Sequence, residues 1–160
     1  MKGNKKILAL LQKAIESEQL AIRQYEIHSR LQNSQGFSKI KKRLTNEHLQ
    51  DEYKHLKKLM DRLLFLEGIP DTSKSVEQNV GKTLPEQFEH DLTAEYSAIE
   101  QYREAMKVCL EENDHQTYRI LEHILTDEED HADDLETQLS LINKAGIENY
   151  IARNAHIEAK

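Results

Sequence analysis

The sequence has 160 residues, a formal net charge of −7 and a charged fraction of 32%. This length is typical of one domain with a sizeable core, so we expect a single domain over residues 1–160. The acidic balance argues against a nucleic-acid-binding protein, and no apolar run is long enough to span a bilayer. The only cysteine, Cys109, excludes an internal disulfide and fits a reducing compartment, so we expect a cytoplasmic location.

The composition favours long helices, because the chain has only two prolines and five glycines. We predict helices over about 4–33, 38–66, 84–111 and 114–144, and a short fifth helix over 147–156. Asn4 can cap the first helix, and Thr83 begins a capping box at the third. Residues 67–83 are polar and have no helical stripe, so we predict a long connection there.

The chain contains a two-fold internal repeat. Both halves include the sequence Glu-x-x-Ala-Ile-x-Gln-Tyr, over residues 18–25 and 95–102. A Glu-x-x-His motif follows in each half, at 52–55 and at 128–131. Residues i and i+3 share one helix face, so each motif directs a carboxylate and an imidazole to the same side. A shared period of this kind is a primary signal of architecture.

The spacing of these motifs fits two helical hairpins. Residues that face each other in an antiparallel hairpin lie equally far from its turn. The point midway between Glu18 and the motif at 52–55 falls near Gly36, and the point midway between Glu95 and the motif at 128–131 falls near Asn113. Both places carry turn residues. Each lone Glu is therefore predicted to lie opposite the Glu-x-x-His of its own hairpin.

The long connection decides how the hairpins are joined. Helices of about 28 residues are roughly 42 Å long, and a connection of some 17 residues reaches about 55 Å when extended. It can therefore run the whole length of a bundle. Two antiparallel hairpins joined by one long crossover form the ferritin-like topology. We therefore predict an all-α, ferritin-like four-helix bundle with a short C-terminal fifth helix.

Packing the hairpins together would bring six motif side chains into the bundle interior. These predicted metal ligands are Glu18, Glu52, His55, Glu95, Glu128 and His131. Four buried carboxylates need compensating charge, which two divalent ions supply. Carboxylate and imidazole ligation suits iron or manganese, and ferritin-like di-metal carboxylate proteins have this same ligand set. The alternative is that these are surface side chains of an acidic bundle.

Two tyrosines also follow the repeat. Tyr25 and Tyr102 come seven residues after the lone Glu of each half, which is two turns along the same helix face. One interpretation is a core aromatic whose hydroxyl bonds a buried carboxylate. The other is a catalytic role, in which Tyr25 gives an electron when oxygen or peroxide is reduced at the metals. Histidines outside the two motifs are predicted to lie outside the site: His28, His48, His90, His115, His123 and His156.

Over nearly its whole length the chain resembles the bacterioferritins. The resemblance rests on residues 1–3, Gln24-Tyr25, and the segments 62–68, 127–131, 135–139 and 146–150. It implies a ferroxidase subunit of a hollow 24-subunit cage. Each subunit would oxidise Fe(II) with oxygen or peroxide at a di-iron centre, and the cage would store ferric mineral. The resemblance makes the six motif residues iron ligands, with Glu52 and Glu128 as the bridging carboxylates.

Two features depart from the family pattern. Tyr53 occupies the place of the methionine that binds haem between two bacterioferritin subunits. Tyrosine can ligate ferric haem, but we expect a haem-free or haem-poor protein, alone or paired with a second subunit type that supplies the methionine. Between Gly36 and Glu52 the chain is one residue longer than the pattern. The inner-surface iron site of the family then falls at Glu47 and Asp51, without its histidine.

Two other functions fit the same ligands. A rubrerythrin-like di-iron peroxidase would reduce peroxide without storing mineral, but the chain has no Cys-x-x-Cys module. A structural subunit or metal buffer of a mixed cage is the other possibility, but the presence of all six ligands counts against a purely structural role, because an inactive subunit has no need of four buried carboxylates. We therefore favour the ferroxidase, with Fe(II) and oxygen or peroxide as its small-molecule partners and with no nucleic acid or membrane partner.

Overall fold

The computed structural model describes residues 2–73 and 78–154, apart from the side chain of residue 43. Within these ranges the chain is helical and contains no strand. The helices are α1 (Lys5–Ser34), α2 (Ser38–Ile40), a π-helical turn (Lys41–Thr45), α3 (Asn46–Phe65), α4 (Leu84–Glu111), α5 (His115–Ala145) and α6 (Ile147–Asn154). The predicted end of the fifth helix, residues 155–156, lies outside the described residues. None of the described helices is both long and apolar enough to cross a membrane.

Two hairpins make up the bundle. Helix α1 packs against α3 and α4 packs against α5, and the hairpins meet through α1 with α4 and α3 with α5. Asn4 caps α1 by accepting a hydrogen bond from the backbone N–H of Lys6, and Thr83 forms the predicted capping box with Glu86. These two caps fix where α1 and α4 begin, and therefore how far along each helix the Glu-x-x-Ala-Ile-x-Gln-Tyr segment lies.

The second long helix runs without a break over residues 38–65 but is not α-helical throughout. Its first part contains a π-helical turn in which the N–H of Asn46 bonds the carbonyl of Lys41, five residues back. A π turn holds one residue more than an α turn, so it accommodates an extra residue between Gly36 and Glu52 without moving the rest of α3. Thr45 Oγ1 donates to Gln32 Oε1 at 2.7 Å and fixes this turn against α1.

The crossover connection follows α1. Near its start, the Asp71 backbone exchanges two hydrogen bonds with the Gln12 side chain, at 2.7 and 2.9 Å. Near its end, the Gly81 N–H donates to His28 Nε2 at 3.1 Å. Gln12 and His28 are about 24 Å apart along a helix that rises 1.5 Å per residue. The two described ends of the connection therefore contact α1 at well-separated levels, as a ferritin-like crossover requires, while residues 74–77 of the predicted connection lie outside the described residues.

The apolar core is divided into two clusters. One contains residues from the N-terminal part of α1, the C-terminal part of α3, and the turn end of α4 and α5. Its large, fully buried members are Ile7, Leu11, Ile15, Leu59, Tyr102, Leu121 and Ile124. The other contains Ile40, Leu44, Leu84, Phe88, Leu135 and Tyr150. The order of these positions along each helix leaves a polar layer between the clusters, at mid-height of the bundle.

Candidate metal centre

The six predicted ligands meet in this polar layer. Helices α1 and α4 contribute one glutamate each, and α3 and α5 contribute one Glu-x-x-His each. None of the six residues exposes more than 4% of its surface. The alternative of surface side chains in an acidic bundle is therefore wrong, because all six are buried.

The ligand atoms form two overlapping groups. In one, Glu18, Glu52, His55 and Glu128 each offer an atom within 4.8 Å of the others. In the second, Glu95 and His131 join the same Glu52 and Glu128 within the same distance. Each group thus has one lone glutamate, one histidine and a shared pair of carboxylates. This arrangement has room for two ions held side by side.

The polar atoms in these groups fit a pair of divalent ions. Buried oxygen atoms of Glu18, Glu52 and Glu128 and the Nδ1 atoms of both histidines have no hydrogen-bond partner. His55 Nδ1 lies 3.2 Å from Glu128 Oε1, and His131 Nδ1 lies 3.3 Å from Glu52 Oε1. Buried polar atoms left unpaired are costly, and oxygen and imidazole nitrogen atoms are the ligands that iron and manganese accept.

Without metal, protons balance the buried charge. Burial and the charge of Glu128 raise the pKa of Glu52 and of Glu95 well above the usual value for glutamate. Burial opposes ionisation of Glu128, but the imidazoles of His131 and His55 close to its oxygens hold its pKa low. Burial also opposes charging of the two imidazoles. Their contacts with the Glu128 carboxylate outweigh this, raising the pKa of His131 to about 9 and that of His55 further.

A second layer of carboxylates holds the two histidines from outside. Asp127 Oδ2 lies 3.0 Å from His55 Nε2, and Asp51 Oδ2 lies 3.5 Å from His131 Nε2. Each aspartate directly precedes the glutamate of one motif, yet it contacts the histidine of the other motif. Such carboxylates fix the orientation of a ligating imidazole and increase its basicity. Sequence spacing did not predict these contacts between an aspartate of one motif and the histidine of the other, because they depend on how the two hairpins face each other.

The two tyrosines also contact residues of the opposite half of the repeat. The Tyr25 hydroxyl donates to Glu95, and the Tyr102 hydroxyl donates to Glu18. Each tyrosine thus bonds the lone glutamate of the other half. Burial, followed by the charges of the carboxylates nearby, raises the pKa of both phenols well above the usual value. Both therefore keep their protons, as expected of core aromatics bonded to buried carboxylates.

Comparison with known proteins identifies the family. A family model described as "Ferritin-like domain" matches residues 8–145. The chain belongs to the ferritin-like family. A bacterial ferritin of Synechocystis is 46% identical over 152 residues, which cover 94% of this chain and 97% of that protein. A bacterioferritin of Rhodobacter capsulatus is 40% identical over 155 residues, covering 97% and 96%. The resemblance to bacterioferritins is confirmed.

Solved structures confirm the ferritin-like fold class. The bacterioferritin of Mycobacterium tuberculosis superposes with a TM-score of 0.96 at 37% identity. That of Rhodobacter capsulatus superposes with a TM-score of 0.95 at 39% identity; its structure is described as having a metal-free dinuclear site and haem iron in a crystallographic special position. Both comparisons cover all of each chain.

In this ferritin-like chain, His48 lies against the centre, where the sequence did not predict it. Only 3% of its surface is exposed. Its ring stacks on that of His131 with centroids 4.1 Å apart, and its Nδ1 lies 3.2 Å from the Tyr25 hydroxyl. Burial and the neighbouring His131 lower the pKa of His48 to about 3, so it is neutral. Its place four residues before Glu52, on the same helix face, was the signal available in the sequence.

The other histidines have different roles. His28 is also fully buried, and its Nδ1 lies 2.8 Å from Asp91 Oδ1. Together with its bond from Gly81, this contact fixes the end of the crossover rather than the metal centre. His115 and His123 are exposed. The remaining ones are His90, bonded to the carbonyl of Asn79, and His156, which lies outside the described residues.

Proposed function

We propose that this chain is a ferroxidase subunit of an iron-storage cage. Fe(II) ions are the substrates: two bind at the overlapping ligand groups and give their electrons to oxygen or hydrogen peroxide, and the Fe(III) produced is stored as mineral. The observation that carries this proposal is the pair of buried four-residue groups that share Glu52 and Glu128. Membership of the ferritin-like family supports storage, and it favours neither a peroxidase without storage nor a non-catalytic subunit.

Each residue has a distinct task in this proposal. Glu18 and His55 hold one ion and Glu95 and His131 hold the other, while Glu52 and Glu128 bridge them. Asp127 and Asp51 keep the two imidazoles oriented. The buried layer excludes water, which strengthens the attraction between the carboxylates and the ions. The ligands therefore bind Fe(II) and remain in place as its charge increases on oxidation.

Tyr25 is the proposed source of an additional electron. Reduction of oxygen to water takes four electrons, and two Fe(II) ions at the centre supply two of them. Tyr25, which bonds directly to the ligand Glu95, would supply a third, and a further Fe(II) ion would supply the fourth. Changing Tyr25 to Phe should leave the first oxidation intact and slow the following turnovers, whereas the same change at Tyr102 should have a smaller effect. An unaltered time course for the Tyr25 variant would exclude this role.

We propose that haem is not bound through Tyr53, at the position of the methionine that binds it in bacterioferritins. Tyr53 stands there with 48% of its surface exposed, and its hydroxyl donates to Glu26 Oε1 at 3.0 Å. This hydrogen bond raises the pKa of Tyr53, which opposes the phenolate that ferric haem would need. We propose a haem-free or haem-poor cytoplasmic cage of 24 subunits, made of this chain alone or mixed with a haem-binding subunit. An absorbance band of one haem per two subunits in the purified chain would contradict this.

The deciding experiment is anaerobic addition of Fe(II) to metal-free protein, followed by oxidant, with ferric absorbance and particle size recorded. A fast phase that saturates at two ions per subunit in a particle of cage size is expected. Mineral growth on further addition would support storage. Two ions oxidised in a dimer without mineral would instead indicate the peroxidase. The absence of a saturable fast phase would mean that the six residues do not form a working centre.

A further inference from the structure

A narrow cavity lies between helices α1 and α4, beside the metal centre. Its volume is about 40 Å³. Four glutamates of the centre form its floor, and six residues of α1 and α4 form its walls: Glu18, Glu52, Glu95 and Glu128, and Ser17, Leu20, Ala21, Ala94, Ser97 and Ala98. Each glutamate is at most 2% exposed, whereas Ser97 is exposed and Ala21 and Ala94 are partly exposed. The cavity therefore lies between the solvent and the centre.

The internal repeat explains the small side chains in the walls. The sequence Glu-x-x-Ala-Ile-x-Gln-Tyr has an alanine three residues after each lone glutamate, at Ala21 and at Ala98. Residues three apart share a helix face, so each alanine lies one turn from its glutamate on the side of the cavity. Five of the six wall residues are alanine or serine, and the sixth is Leu20. Both halves of the repeat thus leave space at the same level of the bundle.

Close packing of α1 against α4 would by itself explain a stripe of small residues, but the floor of the cavity points to a ligand. Within the described part of the chain, Glu18 Oε2, Glu52 Oε1 and both carboxylate oxygens of Glu128 have no hydrogen-bond partner. Such atoms are costly to bury. They are also the oxygens available to the two ions, so a molecule in the cavity stands next to the place where iron would be oxidised.

The size and the charge of the walls favour a small uncharged molecule. A cavity of this volume holds a few molecules of the size of water, and oxygen and hydrogen peroxide are of that size. A hydrated Fe(II) ion would have to lose most of its water to pass. Among the described residues of the walls, none has the carboxylate or imidazole group that iron accepts in place of water, and removing water from an ion without such a partner is costly.

Charged groups lie on the other side of the centre. Asp51 of α3 and Asp127 of α5 contact the two ligand histidines from outside, and their side chains are 35% and 31% exposed. The pair α1 and α4 and the pair α3 and α5 form opposite sides of the bundle. A cation that approaches between α3 and α5 therefore meets carboxylates, whereas a molecule that approaches between α1 and α4 meets alanine, serine and leucine.

We propose that the cavity between α1 and α4 is the entry for the oxidant, and that Leu20, Ala21 and Ala98 set the size of the oxidant that reaches the centre. The inference rests on the ferroxidase function proposed above, to which it adds a route and a selection by size. Leu20 matches Ser97 in the repeat, so the larger side chain narrows the cavity on the α1 side. Oxygen and hydrogen peroxide pass it, and a bulky peroxide does not.

Nitric oxide tests the route without turnover, because it is a small uncharged molecule that binds Fe(II). Protein loaded with two Fe(II) per subunit without oxygen is mixed with nitric oxide, and stopped-flow absorbance gives the rate of binding. Ala21→Leu and Ala98→Leu fill the cavity and should each slow binding by about tenfold or more, with Ala21→Val in between. Ala145→Leu, at the exposed end of α5, is the control and should bind nitric oxide as fast as the original protein.

Uptake of Co(II) separates the oxidant from the metal. Ala21→Leu and Ala98→Leu should take up two Co(II) per subunit as fast as the original protein, because the cation does not use the cavity. Unchanged nitric oxide binding in both variants would overturn the proposal. Co(II) uptake slowed by the same factor would also overturn it, because the cavity would then admit the metal. Neither result would affect the ferroxidase function, which depends on the fast phase of Fe(II) oxidation in the original protein.

Removal of Leu20 provides a test of the opposite sign. Leu20→Ala widens the cavity, so bound Fe(II) should become accessible to tert-butyl hydroperoxide, a bulky uncharged peroxide. The ratio of the oxidation rate with this peroxide to the rate with hydrogen peroxide should increase by about tenfold. Damage to the centre would slow both reactions and would not raise this ratio. An unchanged ratio would overturn selection by size, even if the two leucine variants failed to fold.

Discussion

Loading the metal-free centre with a divalent ion should release protons. The pKa values of Glu52, Glu95, His55 and His131 are all raised in the metal-free protein, that of His131 to about 9. Each of these groups must lose its proton to bind a metal. Two carboxyl and two imidazole groups give about four protons for two ions. This number also balances the four positive charges that the ions bring.

The same count sets the pH dependence of binding. Because each released proton contributes about 1.4 kcal/mol per pH unit, binding of the two ions together should weaken by about 5 kcal/mol when the pH falls by one unit near neutrality. The dependence should decrease above the pKa of His131, about 9. Lowering the pH thus favours the metal-free, protonated centre, and raising it favours the loaded one.

The assay is titration with Co(II) or Zn(II) at pH 7 in weak buffer with an indicator dye, since neither ion is oxidised by air. The Glu129→Gln protein, altered next to the centre but on the exposed face, should release as many protons as the original. Release of less than about one proton per ion would refute the reasoning, because it would mean that the ligands are already ionised in the metal-free protein.

Three further predictions concern metal binding and stability. When the free ion concentration is about 100 times the dissociation constant, binding of two ions should raise the free energy of unfolding by about 5 kcal/mol, which corresponds to about 10–20 °C in Tm. Calorimetry should show that Glu128→Gln loses most of this shift in Tm, while Glu129→Gln keeps it. Asp127→Asn should weaken Co(II) binding by about 10–100-fold, and Asp130→Asn on the exposed face is the control. If Asp127→Asn binds Co(II) as tightly as the original protein, Asp127 does not support the metal centre. Since the pKa of His131 rises from 6.5 to about 9 on folding, metal-free protein should lose stability to urea over that interval as pH rises, and metal-loaded protein should not.

Much of the architecture could be predicted because it depends on short-range and periodic features. The caps at Asn4 and Thr83 follow from local hydrogen bonding and fix where α1 and α4 begin. The repeat and the turns at Gly36 and Asn113 place the lone glutamates opposite the Glu-x-x-His motifs. Helical periodicity then directs all six side chains to the interior, where the structure brings them together.

The π-helical turn could not be predicted from the local sequence. A continuous helix over 38–66 fits the apolar spacing, and the extra residue before Glu52 was visible only as a difference in length. The structure accommodates it at Lys41–Thr45, where Thr45 and Asn46 find partners on α1. The choice between an α and a π turn depends on those partners across the hairpin, which lie outside any local sequence window.

The helices, the hairpins and the six side chains of the candidate metal centre could be predicted from the sequence, because each follows from spacing along one chain. The contacts around them are visible only in the folded bundle: Asp127 beside His55, Tyr25 bonded to Glu95, and His48 buried against Tyr25. These contacts depend on how each helix is rotated about its axis and on how one hairpin faces the other. Packing of the whole bundle sets both quantities, and no single helix encodes them.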